Sequence, residues 1–110
     1  MLEYELYHLN RENRQNGKFI DVLHPEYKEF GQSGRIYTYE NFVGNRLTDD
    51  SEYEITEFAV MELAEDSRLC TYVLLNQTTG AKSNRSSVWI MHNNDWKLIF
   101  HQGTRNFNID

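Results

Sequence analysis

Two long segments, Lys82 to His92 and Asp95 to Thr104, are separated by Asn93-Asn94 alone. Both alternate apolar with polar residues, as strands with one buried face do. Asparagine tolerates the positive φ that a type I′ turn demands at both central positions, so the segments are predicted to form a tight hairpin. A two-residue turn also fixes register. Trp89 is set opposite Leu98, Ser87 opposite Phe100, and Arg85 opposite Gln102. Alternation then places Arg85, Ser87, Trp89, Leu98, Phe100 and Gln102 on one face. Val88, Ile90, Ile99 and His101 fall on the other. The first face is an apolar wall that turns polar toward Arg85 and Gln102, a composition suited to a small-molecule pocket.

Upstream, Glu52 to Val60 alternates and then slips phase, which predicts a β-bulge near Glu57. Leu69 to Leu75 is almost wholly apolar or aromatic, as a strand covered on both faces would be. The first third reads as helical. Leu2, Leu6 and Leu9 recur at i, i+4 and i+7 and predict the buried stripe of a first helix that Asn16-Gly17 stops. Phe19, Ile20, Val22 and Leu23 form a second short helical stretch, ended near His24 by Pro25. Tyr27 to Gly31 is extended, Gln32-Ser33-Gly34 turns the chain, and Thr38 caps a helix running to about Leu47. The expected fold is α+β, a single domain over residues 1–110 with N-terminal helices packed on a curved, mainly antiparallel sheet.

Composition removes several functions. Seventeen acidic against eleven basic side chains give a net charge of -6, so a nucleic-acid partner is not expected. The single cysteine, Cys70, excludes an intrachain disulfide and a multi-cysteine zinc site, and points to a reducing, cytoplasmic setting. No apolar run reaches the roughly 18 residues a membrane span needs, and the N-terminus does not read as a signal peptide. No His-x-x-x-His or mixed histidine/carboxylate spacing is evident, so neither a metal nor another cofactor is expected. Phosphate-loop and nucleophile-elbow patterns are missing.

Residues 24–37, His-Pro-Glu-Tyr-Lys-Glu-Phe-Gly-Gln-Ser-Gly-Arg-Ile-Tyr, resemble the glycine-turn segment of the nuclear-transport-factor-2-like superfamily. Asn84 to Trp89 and Trp96 to Thr104 resemble its SnoaL-like, domain-of-unknown-function-4440 branch. The resemblance spans nearly the whole chain, although Asn93-Asn94 stands where Asp-Gly is common. It implies a cone-shaped barrel with a cavity between helices and sheet, in a homodimer packed through the sheet. Members of that superfamily include isomerases, cyclases, dehydratases and non-catalytic domains, so the fold leaves function open.

Within that frame, Glu29 enters the cavity mouth. A carboxylate there with a raised pKa can act as a general base, with Tyr27, Tyr37 or Tyr72 supplying a phenol. The alternative pairs Glu29 with Arg85 in a buried salt bridge. Arg85 is otherwise the group to grip a ligand carboxylate or phosphate. Ser87, Trp89, Phe100 and Gln102 complete the expected binding wall, with His101 on the opposite face near the dimer contact. Arg35, His101 and Thr104 are secondary candidates. The leading function is a small-molecule-binding domain. The alternatives are a proton-transferring isomerase, cyclase or dehydratase, and a dimerising scaffold.

Overall fold

The computed structural model describes residues 1–43 and 50–107. Helix α1 spans Leu2–Leu9 and α2 spans Arg11–Asn16. They are separated at Asn10, whose side chain accepts the Asn13 N–H at 2.9 Å and caps the second helix. Gly17 ends α2 at φ 83°, a conformation glycine adopts without steric cost. A 3₁₀ turn, Lys18–Val22, feeds directly into strand β1, Leu23–Phe30. Strand β2, Ile36–Thr38, and helix α3, Tyr39–Phe42, follow the glycine turn. Thr38 and Asn41 form a reciprocal capping box at the start of α3. Gly44 and Leu47, in the expected remainder of this helix, lie outside the described residues. The long strands are β3 (Tyr53–Ala64), β4 (Ser67–Asn76), β5 (Lys82–His92) and β6 (Asp95–Arg105).

The strands make one curved sheet in the order β2-β1-β6-β5-β4-β3, with the helices packed on one face. All neighbours are antiparallel except β1 and β6. The α+β architecture is the one expected. Among the described residues, no helix is long and apolar enough to cross a membrane.

Two of the register shifts in the sheet bear on the expected inward face. Glu57 sits at φ 54°, where β3 slips against β4, as its phase change predicts. The hairpin turn also has the predicted form, with Asn93 at φ 52° and Asn94 at φ 66°. Trp89 accordingly pairs with Leu98. The register then shifts, and Val88 faces Phe100. Ile99 is the extra residue. From there on Ser87 faces His101 and Arg85 faces Gly103. The expectation that Phe100 and Gln102 face the helices is therefore corrected. They lie on the outer face, and His101 lies inside.

Three rows of the inner face, running across the sheet, frame the site. Leu23, Leu98 and Trp89 form the first. Glu29, His101, Ser87 and Cys70 form the second. Gly103, Arg85 and Tyr72 form the third. The apolar core gathers on the first row, where Phe19, Val22 and Tyr27 join Trp89 and Leu98.

Helix α1 does not bury its leucine stripe. Leu2 and Leu6 are 40% and 47% exposed, whereas Glu5 and His8 are buried. Its docked face lies over hydrogen-bond donors of the sheet, so α1 is rotated toward those polar partners.

Candidate functional site

A cavity of about 380 Å³ opens between the helices and the inner face. That volume is in the range of small-molecule sites. Phe19, Leu23, Phe42 and Leu74 give it apolar walls, and Tyr37 and Tyr53 add aromatic edges. Its charged side chains are Glu29, Arg85 and Arg14, with His8 and His101 beside them.

Behind this wall lies a closed polar cluster built on Glu5. The carboxylate is fully buried. Its Oε1 accepts from His8 Nε2 at 2.9 Å, Tyr72 Oη at 2.8 Å and Ser87 Oγ at 3.2 Å. Its Oε2 accepts from Trp89 Nε1 at 2.6 Å. Burial pushes the Glu5 pKa up, but the hydrogen bond and charge of His8, the nearby His101 and the Trp89 N–H bring it down to about 2. The same cluster pushes the Tyr72 phenol well above its ordinary range, through burial first and the Glu5 charge second. Cys70, also buried, is pushed up to about 12 by burial and by Glu5, which leaves it an inert thiol.

The cluster reaches the cavity through Ser87, His101 and Arg85. Ser87 Oγ is 2.7 Å from His101 Nδ1, and Arg85 Nη1 is 3.3 Å from His101 Nε2. Burial, together with the charges of His8 and Arg85, holds the His101 pKa well below the usual histidine range. A guanidinium only donates, so Nε2 of this neutral ring is the acceptor and Nδ1 carries the proton. Nδ1–H donates to Ser87, and the Ser87 hydroxyl donates on to Glu5. Arg85 is held further by Nε donating to Ser83 Oγ at 2.9 Å. Its guanidinium lies over Gly103, where a Cβ would stand 2.8 Å from Cζ.

Glu29 and Tyr27 occupy the other side. Glu29 pairs in register with His101 on the inner face, and Tyr27 Oη donates to Glu29 Oε1 at 2.5 Å. Burial and the Glu29 charge raise the Tyr27 phenol well above its ordinary range. The anticipated Glu29–Arg85 salt bridge is not formed. Among the described residues no ion pair joins the two.

Of the residues singled out from sequence, Glu29, Arg85 and His101 meet at the cavity. Ser87 and Trp89 face inward but are fully buried beneath α1, with their polar atoms bound to Glu5. Phe100 packs edge-on against Phe30 on the outer face, with ring centroids 5.4 Å apart. Gln102 and Thr104 line a separate shallow outer hollow. Arg35 is exposed in the glycine turn, away from both.

Glu5, His8 and Arg14 were not foreseen. The signal for the first two was Glu5-x-x-His8, a mixed carboxylate/histidine spacing that puts both groups on one helix face. The expectation that the chain has no such spacing is thereby corrected. Candidate metal-ligand atoms of Glu5, His8 and His101 lie within 4.8 Å of one another. Each residue is already tied into the network, and the Arg85 cation adjoins His101. Every buried side-chain polar atom among the described residues has a partner. The cluster is therefore complete as a hydrogen-bond network, and an incoming cation would have to displace donors and face Arg85.

No family model matches the chain, and no curated protein does. Solved structures do. A nuclear-transport-factor-2-like (NTF2-like) protein from Cytophaga hutchinsonii superposes with a TM-score of 0.77 at 16% identity, covering 96% of this chain and 94% of that one. A ketosteroid-isomerase-like protein from Parabacteroides distasonis gives 0.75 at 15% identity, over 99% and 87%. The association domain of C. elegans CaMKII gives 0.70 at 13% identity, over 94% and 91%. At such identities the similarity speaks to architecture, and the architecture of this chain is the NTF2-like, cystatin-like fold.

Proposed function

We propose that this domain binds a small, partly apolar carboxylic acid in the cavity between helices and sheet, with Arg85 as the anion anchor. The observation that carries this reading is the state of Arg85. It faces an aromatic-lined cavity, is oriented by Ser83 and His101, and has no carboxylate in ion-pair range among the described residues. A half-buried, oriented guanidinium recognises a carboxylate by paired hydrogen bonds. The test is a thermal-shift screen with benzoate, phenylacetate and cyclohexanecarboxylate. A bound acid raises Tm by several degrees when present well above its Kd, and Arg85→Gln abolishes the rise. A flat response to every acid, or a rise that survives in Arg85→Gln, overturns the reading.

The Tyr27–Glu29 hydrogen bond at the cavity wall favours a second reading, in which Glu29 moves a proton in an isomerase, cyclase or dehydratase reaction. This reading expects Glu29→Gln to abolish turnover while acid binding at Arg85 persists.

In the proposed homodimer the two copies pack through the outer face of the sheet. Support comes from an apolar row, Met61, Leu69, Val88 and Phe100, that runs across four strands there. Met61 is 59% exposed. The fold match to an association domain agrees with self-association.

A further inference from the structure

Two opposite charges of the cavity, Arg85 and Glu29, are kept apart. Arg85 is tethered through Ser83 and His101 and seated on Gly103. Glu29 is tethered by Tyr27. Glu29 stands on β1 and Arg85 on β5, with β6 between them. Two strand spacings separate their backbones laterally, roughly 10 Å. Arg85 is also one inward-facing row further along, because it pairs with Gly103 whereas Glu29 pairs with His101. Neither charge satisfies the other, although partial burial strengthens their attraction. Among the described residues, Glu29 Oε2 and Arg85 Nη2 have no partner. Apolar side chains, including Phe42 and Leu74, line the same cavity.

From this arrangement we infer that the ligand is bifunctional: a carboxylate for Arg85, an apolar body about one ring long, and a hydrogen-bond donor, amine or hydroxyl, for Glu29. The inference rests on the binding reading above and adds the second polar end. It also assigns Glu29 a role in choosing the ligand. An acid lacking the donor leaves the Glu29 carboxylate facing apolar atoms, and a site built to accept a hydrogen bond discriminates against the analogue that cannot donate one.

The experiment compares matched acids by titration calorimetry, 4-(aminomethyl)benzoate against 4-methylbenzoate and 4-hydroxyphenylacetate against phenylacetate. On the wild-type chain at least one donor-bearing acid is expected to bind about tenfold tighter than its match, or more. In Glu29→Gln that advantage shrinks several-fold while affinity for the donor-free acids is retained. Equal affinity within both pairs, or an advantage untouched in Glu29→Gln, overturns this inference and leaves Arg85-dependent binding standing. If none of the four acids binds to folded wild-type protein, the bifunctional ligand and the binding reading fall together. Melting curves of Glu29→Gln, and binding of the donor-free acids to it, separate a lost contact from a lost fold.

Discussion

Gly103 is a seat for Arg85: a methyl group at position 103 would stand 2.8 Å from the Arg85 Cζ and Nη1 atoms. The two residues face each other across β5 and β6. A bare Cα there lets the guanidinium lie against the strand and reach His101 at 3.3 Å. Gly103→Ala is therefore expected to push Arg85 off His101 and to weaken benzoate binding about tenfold or more, while leaving the hairpin paired. The Arg85 Nε–H resonance, held by Ser83 and expected to lose its protection, reports the displacement. Calorimetry measures the loss of affinity. Unchanged affinity and an unchanged resonance would show that the strand yields instead.

Glu5 is the centre of the buried polar cluster, and its removal should cost more than any surface change. Glu5→Leu leaves the donors of Tyr72, Ser87, Trp89 and His8 unanswered in a dry interior. The expected loss is about 3 kcal/mol, in the range for one partner taken from a buried charged network. Glu5→Gln keeps one acceptor and should cost less. Urea unfolding at neutral pH gives both values. A loss below about 1 kcal/mol for Glu5→Leu would show that the network is peripheral to stability.

Acid should unfold this protein in two stages. His101 has a folded-state pKa well below its ordinary 6.5, and His24 is lowered as well, by burial and by His92. Below about 6.5 the unfolded chain takes up protons that the folded chain refuses, so stability declines as pH falls. Glu5 adds a second loss. Its pKa is lowered from 4.5 to about 2, so its contribution is full above about 4.5 and is lost as pH falls toward about 2. Unfolding curves from pH 7.5 to pH 3 should show both slopes, and His101→Gln should flatten the upper one. A stability profile level from pH 7 to pH 5 would contradict the first stage.

Val88 lies mid-row on the outer face, between Leu69 and Phe100. Val88→Glu puts a charge in the centre of the proposed dimer contact while leaving the inner face intact. Light scattering is expected to give twice the chain mass for wild type and the single chain mass for the variant, with little change in monomer far-UV spectrum. A wild-type chain that is monomeric at tens of micromolar would remove the sheet-to-sheet dimer.

Much of the fold was legible because turns and alternation are local. Asn93-Asn94 announces its own geometry, Gly17 and Gly34 mark backbone that must reach positive φ, and the phase slip at Glu57 is visible in side-chain order. The site was legible only in part. Ile99 has no glycine or proline to betray a bulge, yet it reverses which of His101 and Gln102 faces inward. The face of α1 was misread for a related reason. Hydrophobic periodicity assigns Leu2 and Leu6 to the interior, but the partners of Glu5 lie 67, 82 and 84 residues downstream, in Tyr72, Ser87 and Trp89. Donors at that separation leave no mark on the local pattern of a helix.

Those distances bear on how the chain is made as well as on how it is read. β1 has its partner in β6, and Glu5 has donors in both β4 and β5. On the ribosome the opening third emerges first and has no sheet to settle on until β5 clears the exit tunnel. The β3–β4 hairpin can zip early, but docking of α1 waits until β5 and β6 have been made. Closure of this domain therefore comes late, and until then the apolar residues of its early helices stand open to a chaperone.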